Sequence, residues 1–279
     1  IGAGSALQLA KILTSFLDLQ QPDGFIPWRT SLNGTEANRS AQPLLAEIAW
    51  KIYQHTEDSK WLESIYPKLI AFSRHWFGQK NDRDLDAYPE WQHAFQSGFD
   101  DSNLTHPWNN ASVGASPEFV EAPSLAAMLI NELRTLRTIG DELHLSGEED
   151  SWLAEQEEKL QANLASVWDE DRKTWHYRDA STHGSHSGRK LLNFSTPGKT
   201  ETSLNFDTQT RLILKFTAAS EFTRTVRVKL TGENNGNPVT EEISPRQINW
   251  LYGSGRCTSE SVYTRINSIE ISGLPPGDL

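Results

Sequence analysis

The hydrophobic pattern changes its period near residue 195, and a chain with that switch has to build two different kinds of core. Before it, apolar residues recur every three to four positions. Leu9, Ile12, Leu13, Phe16 and Leu17 share one helical face, and Pro22-Asp23-Gly24 then stops that helix. A second helix is expected from about Pro43, stacking Leu44, Leu45, Ile48, Ile52 and Tyr53, and a third carries Trp61, Ile65, Leu69, Phe72 and Trp76. The fourth, from Pro123 to about Leu143, shows Leu125, Leu129, Leu133 and Leu136. The fifth, Glu148 to Trp168, keeps Leu153, Leu160, Leu164 and Val167 inward. After the switch the period is two. Leu212, Leu214 and Phe216 alternate with other residues, as do Val226, Val228 and Leu230 with Arg227 and Lys229. Gly232 to Gly236 reads as a turn, and Ile266, Ile269 and Ile271 as a later strand.

The helical connections alternate between short polar turns and two long loops, 20–42 and 79–122. Loops beyond about 12–15 residues in a compact domain are usually functional. Helix pairs with short turns at one end and long loops at the other suggest a toroid with its site on the long-loop face. The expectation is therefore a mainly α chain: a partial α/α toroid over 1–190, followed by a small antiparallel β-sandwich over 191–279, with the Gly-, Ser- and Pro-bearing stretch 185–200 as linker.

Charge and composition narrow the partners. A net charge of −11 opposes nucleic acid, because a negative field repels phosphates. No apolar run approaches the roughly 18–20 residues of a membrane span, so no membrane partner is expected. The single cysteine, Cys257, excludes an intrachain disulfide, and the histidines have no zinc-site spacing, so neither a metal nor a cofactor is predicted. No Gly-x-Ser-x-Gly elbow and no phosphate-binding glycine loop is present.

The chemistry gathers between Asp82 and Val120, where Asp86, Tyr88, Glu90, Trp91, His93, Asp100, Asp101, His106 and Trp108 lie close in sequence. Carboxylates accept hydrogen bonds from sugar hydroxyls and move protons, while indole faces stack on pyranose rings. Glycoside hydrolysis needs a carboxylic acid at the leaving oxygen and a second carboxylate elsewhere. Composition alone also fits a solvated acidic loop with packing tryptophans, and Asp100-Asp101 beside Gly98 also fits a turn or a calcium ligand pair. Trp250 and Tyr252 are the aromatic candidates in the β part, and they read better as core residues.

Several motifs, in order, resemble glycoside hydrolase family 63 and related inverting α-glycosidases built on an α/α six-hairpin toroid. They are Pro22-Asp23-Gly24-Phe25-Ile26-Pro27-Trp28; Gln42-Pro43-Leu44-Leu45 with Trp50-Lys51-Ile52-Tyr53; Ser97-Gly98-Phe99-Asp100-Asp101-Ser102; Ala122-Pro123-Ser124-Leu125; and Trp168-Asp169 with Trp175-His176-Tyr177. The resemblance covers about residues 5–190. It implies an inverting α-glycoside hydrolase acting on α-linked oligosaccharides or glucosides, with Asp100 as general acid. Trp28, Gln42, Trp91 and Asp101 are its candidates for holding the sugar. The pattern departs at Asn103-Leu104, where a proline is usual, and at Glu121-Ala122-Pro123. The family's general base is a glutamate near the end of the toroid. About five helices fall short of six hairpins, and the chain opens on Ile1 with Met128 as its one methionine, so a fragment lacking the base is expected. The alternative is a non-catalytic carbohydrate-binding or scaffolding protein on the same toroid.

Overall fold

A computed structural model describes residues 3–31, 34–35, 39–99, 102–106, 112–145, 147–185, 188–217, 225–251 and 253–273. The chain forms two compact units. One is Ile1–Gly98 with Glu121–Tyr177, and the other is Phe99–Val120 with Arg178–Leu279.

Five helices make the first unit: α1 (Ala3–Leu17), α2 (Leu45–Thr56), α3 (Ser59–Trp76), α4 (Pro123–Glu142) and α5 (Glu148–Ser166). Pro123 opens α4, where its missing N–H costs nothing. Leu125, Leu129, Leu133 and Leu136 then fall on one face and are fully buried. Burial of each such side chain contributes roughly 1.5–3 kcal/mol. Helix α4 packs on α2, α3 and α5, which makes it the centre of this core. Asp58 caps α3 by accepting the Trp61 amide at 3.0 Å. Helix α2 has no side-chain cap of its own. Its Ala46 amide donates instead to Glu132 Oε1 of α4, at 2.8 Å.

The inner face of α1 differs from expectation. Ala6, Ala10, Leu13 and Leu17 are buried, while Leu9 and Ile12 are exposed. Small residues face the neighbouring helices, and the bulkier pair is left outside. Ile48 of α2 is likewise exposed. Helices α2 and α3, and α4 and α5, follow each other through short turns. Five helices alone do not close a toroid, and the chain is not mainly helical.

The second unit supplies the reason, in one connected antiparallel sheet of five strands: β1 (Gly198–Thr217), β2 (Arg227–Asn234), β3 (Asn237–Ile243), β4 (Asn249–Leu251) and β5 (Ser254–Ser272). Strand β5 pairs with β1 along one side. On the other it pairs with β4 near its start and β2 near its end, and β3 extends the sheet from β2. Among the described residues these five strands form one connected antiparallel ladder. Strand β1 begins well before Leu212 because its first half alternates polar residues that carry little apolar signal. Val228 and Leu230 are buried and Arg227 and Lys229 exposed, as period two requires. Ile266 and Ile269, three apart, both reach the core because a bulge between Ile266 and Ser268 shifts the register. The hairpin between β2 and β3 turns on Asn235 and Gly236, both at positive φ (50° and 81°). Gly232 lies within β2, against the Tyr263 ring. Trp250 is half-buried over Gly255 and beside Phe216, while Tyr252 lies outside the described residues. Among the described residues no helix is long and apolar enough to cross a membrane.

Candidate functional site

In the helical unit the loop after α1 is set by Gly24. Its φ is +84°, and a Cβ there would stand 2.1 Å from the Ala71 carbonyl oxygen of α3, so glycine is required. Asp23 Oδ1 accepts the Phe25 amide at 3.0 Å, and the buried Phe25 ring meets His75 edge-on at 5.6 Å. The chain then runs extended past Trp28, whose amide donates to the Arg39 carbonyl at 2.7 Å. The Trp28 ring is half-buried, with the Arg29 and Arg39 guanidinium groups 5.1 and 5.9 Å from its centroid.

A buried polar chain links this loop to the Ser97-Gly98 turn. Ser40 Oγ and His75 Nε2 are 2.8 Å apart, and the Ser40 carbonyl accepts from Gln96 Nε2 at 2.9 Å. Gln96 Oε1 accepts the Gln92 amide, and the Gln96 carbonyl accepts Gln42 Nε2 at 2.9 Å. Gln42 Nε2 lies only 3.0 Å from where a Cβ on Gly98 would be. Burial lowers the His75 pKa, with the Asp23 carboxylate, 3.9 Å away, pulling it back up. Gln42, expected from sequence, is thus fixed against the residue two before Asp100. Ser40, His75 and Gln96 escape the sequence reading. The one available signal is a histidine set among the apolar residues of α3.

Trp91 is only 4 % exposed and meets Trp76 edge-on at 5.6 Å. Its ring belongs to the helical core. Around it the acidic loop turns inward. Asp82 Oδ2 accepts the Ala87 amide, and burial raises the Asp82 carboxyl to about 6. Burial, and then the Asp82 charge, push Glu90 to about 9, against the pull of the Arg83 amide. Asp84, Asp86 and Glu121 each place a carboxylate oxygen within 4.8 Å of the others.

Asp100 and Asp101 lie outside the described residues, as does Trp108. The chain after them belongs to the sheet unit. Ser102 Oγ accepts the Leu104 and Thr105 amides, closing a turn. The Leu104 carbonyl accepts the Gly114 and Ala115 amides at 2.9 Å, and the Asn103 carbonyl accepts the Val113 amide at 2.8 Å.

A sequence profile of mannosylglycerate hydrolase MGH1-like glycoside hydrolase domains matches residues 9–197. The chain belongs to this glycoside hydrolase family. All five residues singled out from sequence fall within the matched stretch, which stops where β1 begins. Solved structures agree on the fold. A family 63 mannosylglycerate hydrolase from Thermus thermophilus in complex with glucose shares 17% identity at a TM-score of 0.50, over 63% of this chain and 57% of that one. The same hydrolase in complex with Tris and D-glycerate gives 18% and 0.51, over 61% and 56%. An uncharacterized conserved protein from the same organism gives 17% and 0.52, over 63% and 56%. The chain thus spans little more than half the length of these relatives. No curated protein matches it significantly.

Proposed function

We propose that the protein is an inverting glycosidase that cleaves α-linked glycosides, with Asp100 as the general acid. The observation that carries this reading is the family match over residues 9–197, which contains the Ser97-Gly98-Phe99-Asp100-Asp101-Ser102 signature. Asp100 would protonate the leaving oxygen, and a glutamate on the opposite side of the ring would draw a proton from water. Inversion sets such carboxyls roughly 6.5–9.5 Å apart. To act near neutrality the acid must keep its proton, which an apolar surround achieves. Gln42, held by the Gln96 carbonyl, and Trp28, half-buried, would hold the sugar together with Asp101, with Trp91 as backing wall. Residues 1–190 would form the catalytic part of a six-hairpin toroid. The substrate is an oligosaccharide or smaller glycoside, and the trehalose, maltose and mannosylglycerate linkages form the natural test panel.

The test is release of free sugar from that panel by the full-length protein and by its Asp100→Asn variant. Turnover of at least one substrate is expected, with a fall of at least about a hundredfold in the variant, of the order that general acid catalysis contributes. Undiminished turnover in Asp100→Asn would remove Asp100 from the mechanism.

A further inference from the structure

The family match ends at residue 197, yet the segment that follows Asp100 packs with the sheet beyond that point. The contacts are specific. The Ser112 carbonyl accepts from both Arg256 Nη1, at 2.6 Å, and Lys215 Nζ, at 2.9 Å. Arg256 is 4 % exposed. It lies so close to Gly114 that a Cβ there would stand 2.5 Å from the arginine Cδ, and Gly114 has a φ of +76°. Thr258 Oγ1 accepts the Ser116 amide at 2.8 Å. At the far end, the Arg211 guanidinium lies 4.2 Å from the Phe119 ring centroid while it pairs with Asp179 and donates to the Ser259 carbonyl.

Two cations converging on one carbonyl repel each other. Each donates a charge-assisted hydrogen bond, which is stronger than one from a neutral donor. From Ser112 the constraint passes through backbone bonds, because Val113, Gly114 and Ala115 donate to the Asn103 and Leu104 carbonyls. Leu104 is four residues from Asp100. A general acid has to stay within hydrogen-bond reach of the leaving oxygen, and a misplacement of about 1 Å can reduce the rate about a hundredfold.

We propose that the sheet is a clamp for the acid-bearing loop, with Arg256, seconded by Lys215, as a positioning residue that acts on Asp100 through Ser112 and Leu104. The inference rests on the reading of Asp100 as the acid. It gives the C-terminal sheet a part in catalysis in place of the accessory role its position in sequence suggests.

The test compares Arg256→Met, Arg256→Lys and Lys215→Met with the parent protein. Hydrogen exchange over residues 102–116 reads the clamp independently of turnover. A rise of at least tenfold in Arg256→Met is expected there, with exchange in the helices unchanged. Sugar release reads the positioning. A fall of at least tenfold in kcat is expected, with KM within twofold, partly restored by lysine at 256. Unchanged exchange in both methionine variants overturns the clamp. If Asp100→Asn loses turnover while Arg256→Met keeps its kcat, the positioning role is overturned. If Asp100→Asn keeps its turnover, the acid assignment is what fails, and exchange over the loop still decides whether the clamp exists. Global unfolding of Arg256→Met would raise exchange everywhere; Lys215→Met, at an exposed position, then carries the same comparison.

Discussion

Replacement of Glu132 by glutamine isolates one buried proton. Glu132 is 1 % exposed, and its Oε1 accepts the Ala46 amide at the uncapped start of α2, while Oε2 has no hydrogen-bond partner among the described residues. Burial raises its pKa from 4.5 to about 7, opposed by the Ala46, Glu47 and Leu45 amides and reinforced by the Glu47 charge. The folded state therefore holds this proton more tightly than the unfolded chain. The extra stability is fully present below the unfolded value of about 4.5, and is lost as pH rises through about 7. At about 1.4 kcal/mol per pH unit, that window corresponds to about 3 kcal/mol. Glutamine keeps the acceptor for Ala46 but cannot titrate. It leaves a buried N–H₂ without an acceptor, a pH-independent offset of about 1–3 kcal/mol. Asp82 and Glu90 also have raised values and tilt the stability of both proteins in the same direction, so the difference between variant and parent isolates Glu132. Urea unfolding followed by helical circular dichroism at about pH 5 and pH 7.5 should show Glu132→Gln gaining about 2–3 kcal/mol on the parent across that interval. A gap that stays constant between the two pH values would refute the assignment of a buried, protonated Glu132.

Two more outcomes follow from close packing. Cys257 is buried, and burial followed by the Glu241 charge pushes its thiol up to about 12, so a thiol reagent at about pH 8 should titrate no cysteine in the native protein and one after denaturation. Stoichiometric native labelling within minutes would contradict that burial. Gly24→Ala combines a left-handed φ with a backbone clash against Ala71, and should lower stability by at least about 2 kcal/mol by urea unfolding. Gly4→Ala in α1 meets nothing within 4 Å and is the matched control, expected to be neutral or slightly stabilising.

The helices are legible in the sequence where an apolar stripe coincides with deep burial, as in α3 and α4. Helix α1 is misread because its buried face is partly alanine, which hydrophobicity ranks below the exposed Leu9 and Ile12. The β pattern is visible only in its apolar half. Residues 198–211 are mostly polar, with Leu204 and Phe206 as their apolar pair, so the strand there shows mainly through its pairing with β5. Gln42 is visible through its motif, but the Ser40–His75–Gln96 chain that holds it is not. Its members are polar residues 35 and 56 positions apart, joined only by the fold. The hold of Arg256 on Ser112 leaves no local trace for the same reason.

That hold has a consequence for biosynthesis. Arg256 emerges 144 residues after Ser112, and at about 5–20 residues per second that is a delay of about 7 to 29 seconds. Helices α1 to α5 are all synthesised before β1 begins, so they can pack on the ribosome while Ser112 still waits for Arg256. Residues 102–106 and 112–116 are then set late in synthesis, after the helices that flank them in sequence. A nascent chain arrested before β5 would hold a formed helical core with this loop unclamped.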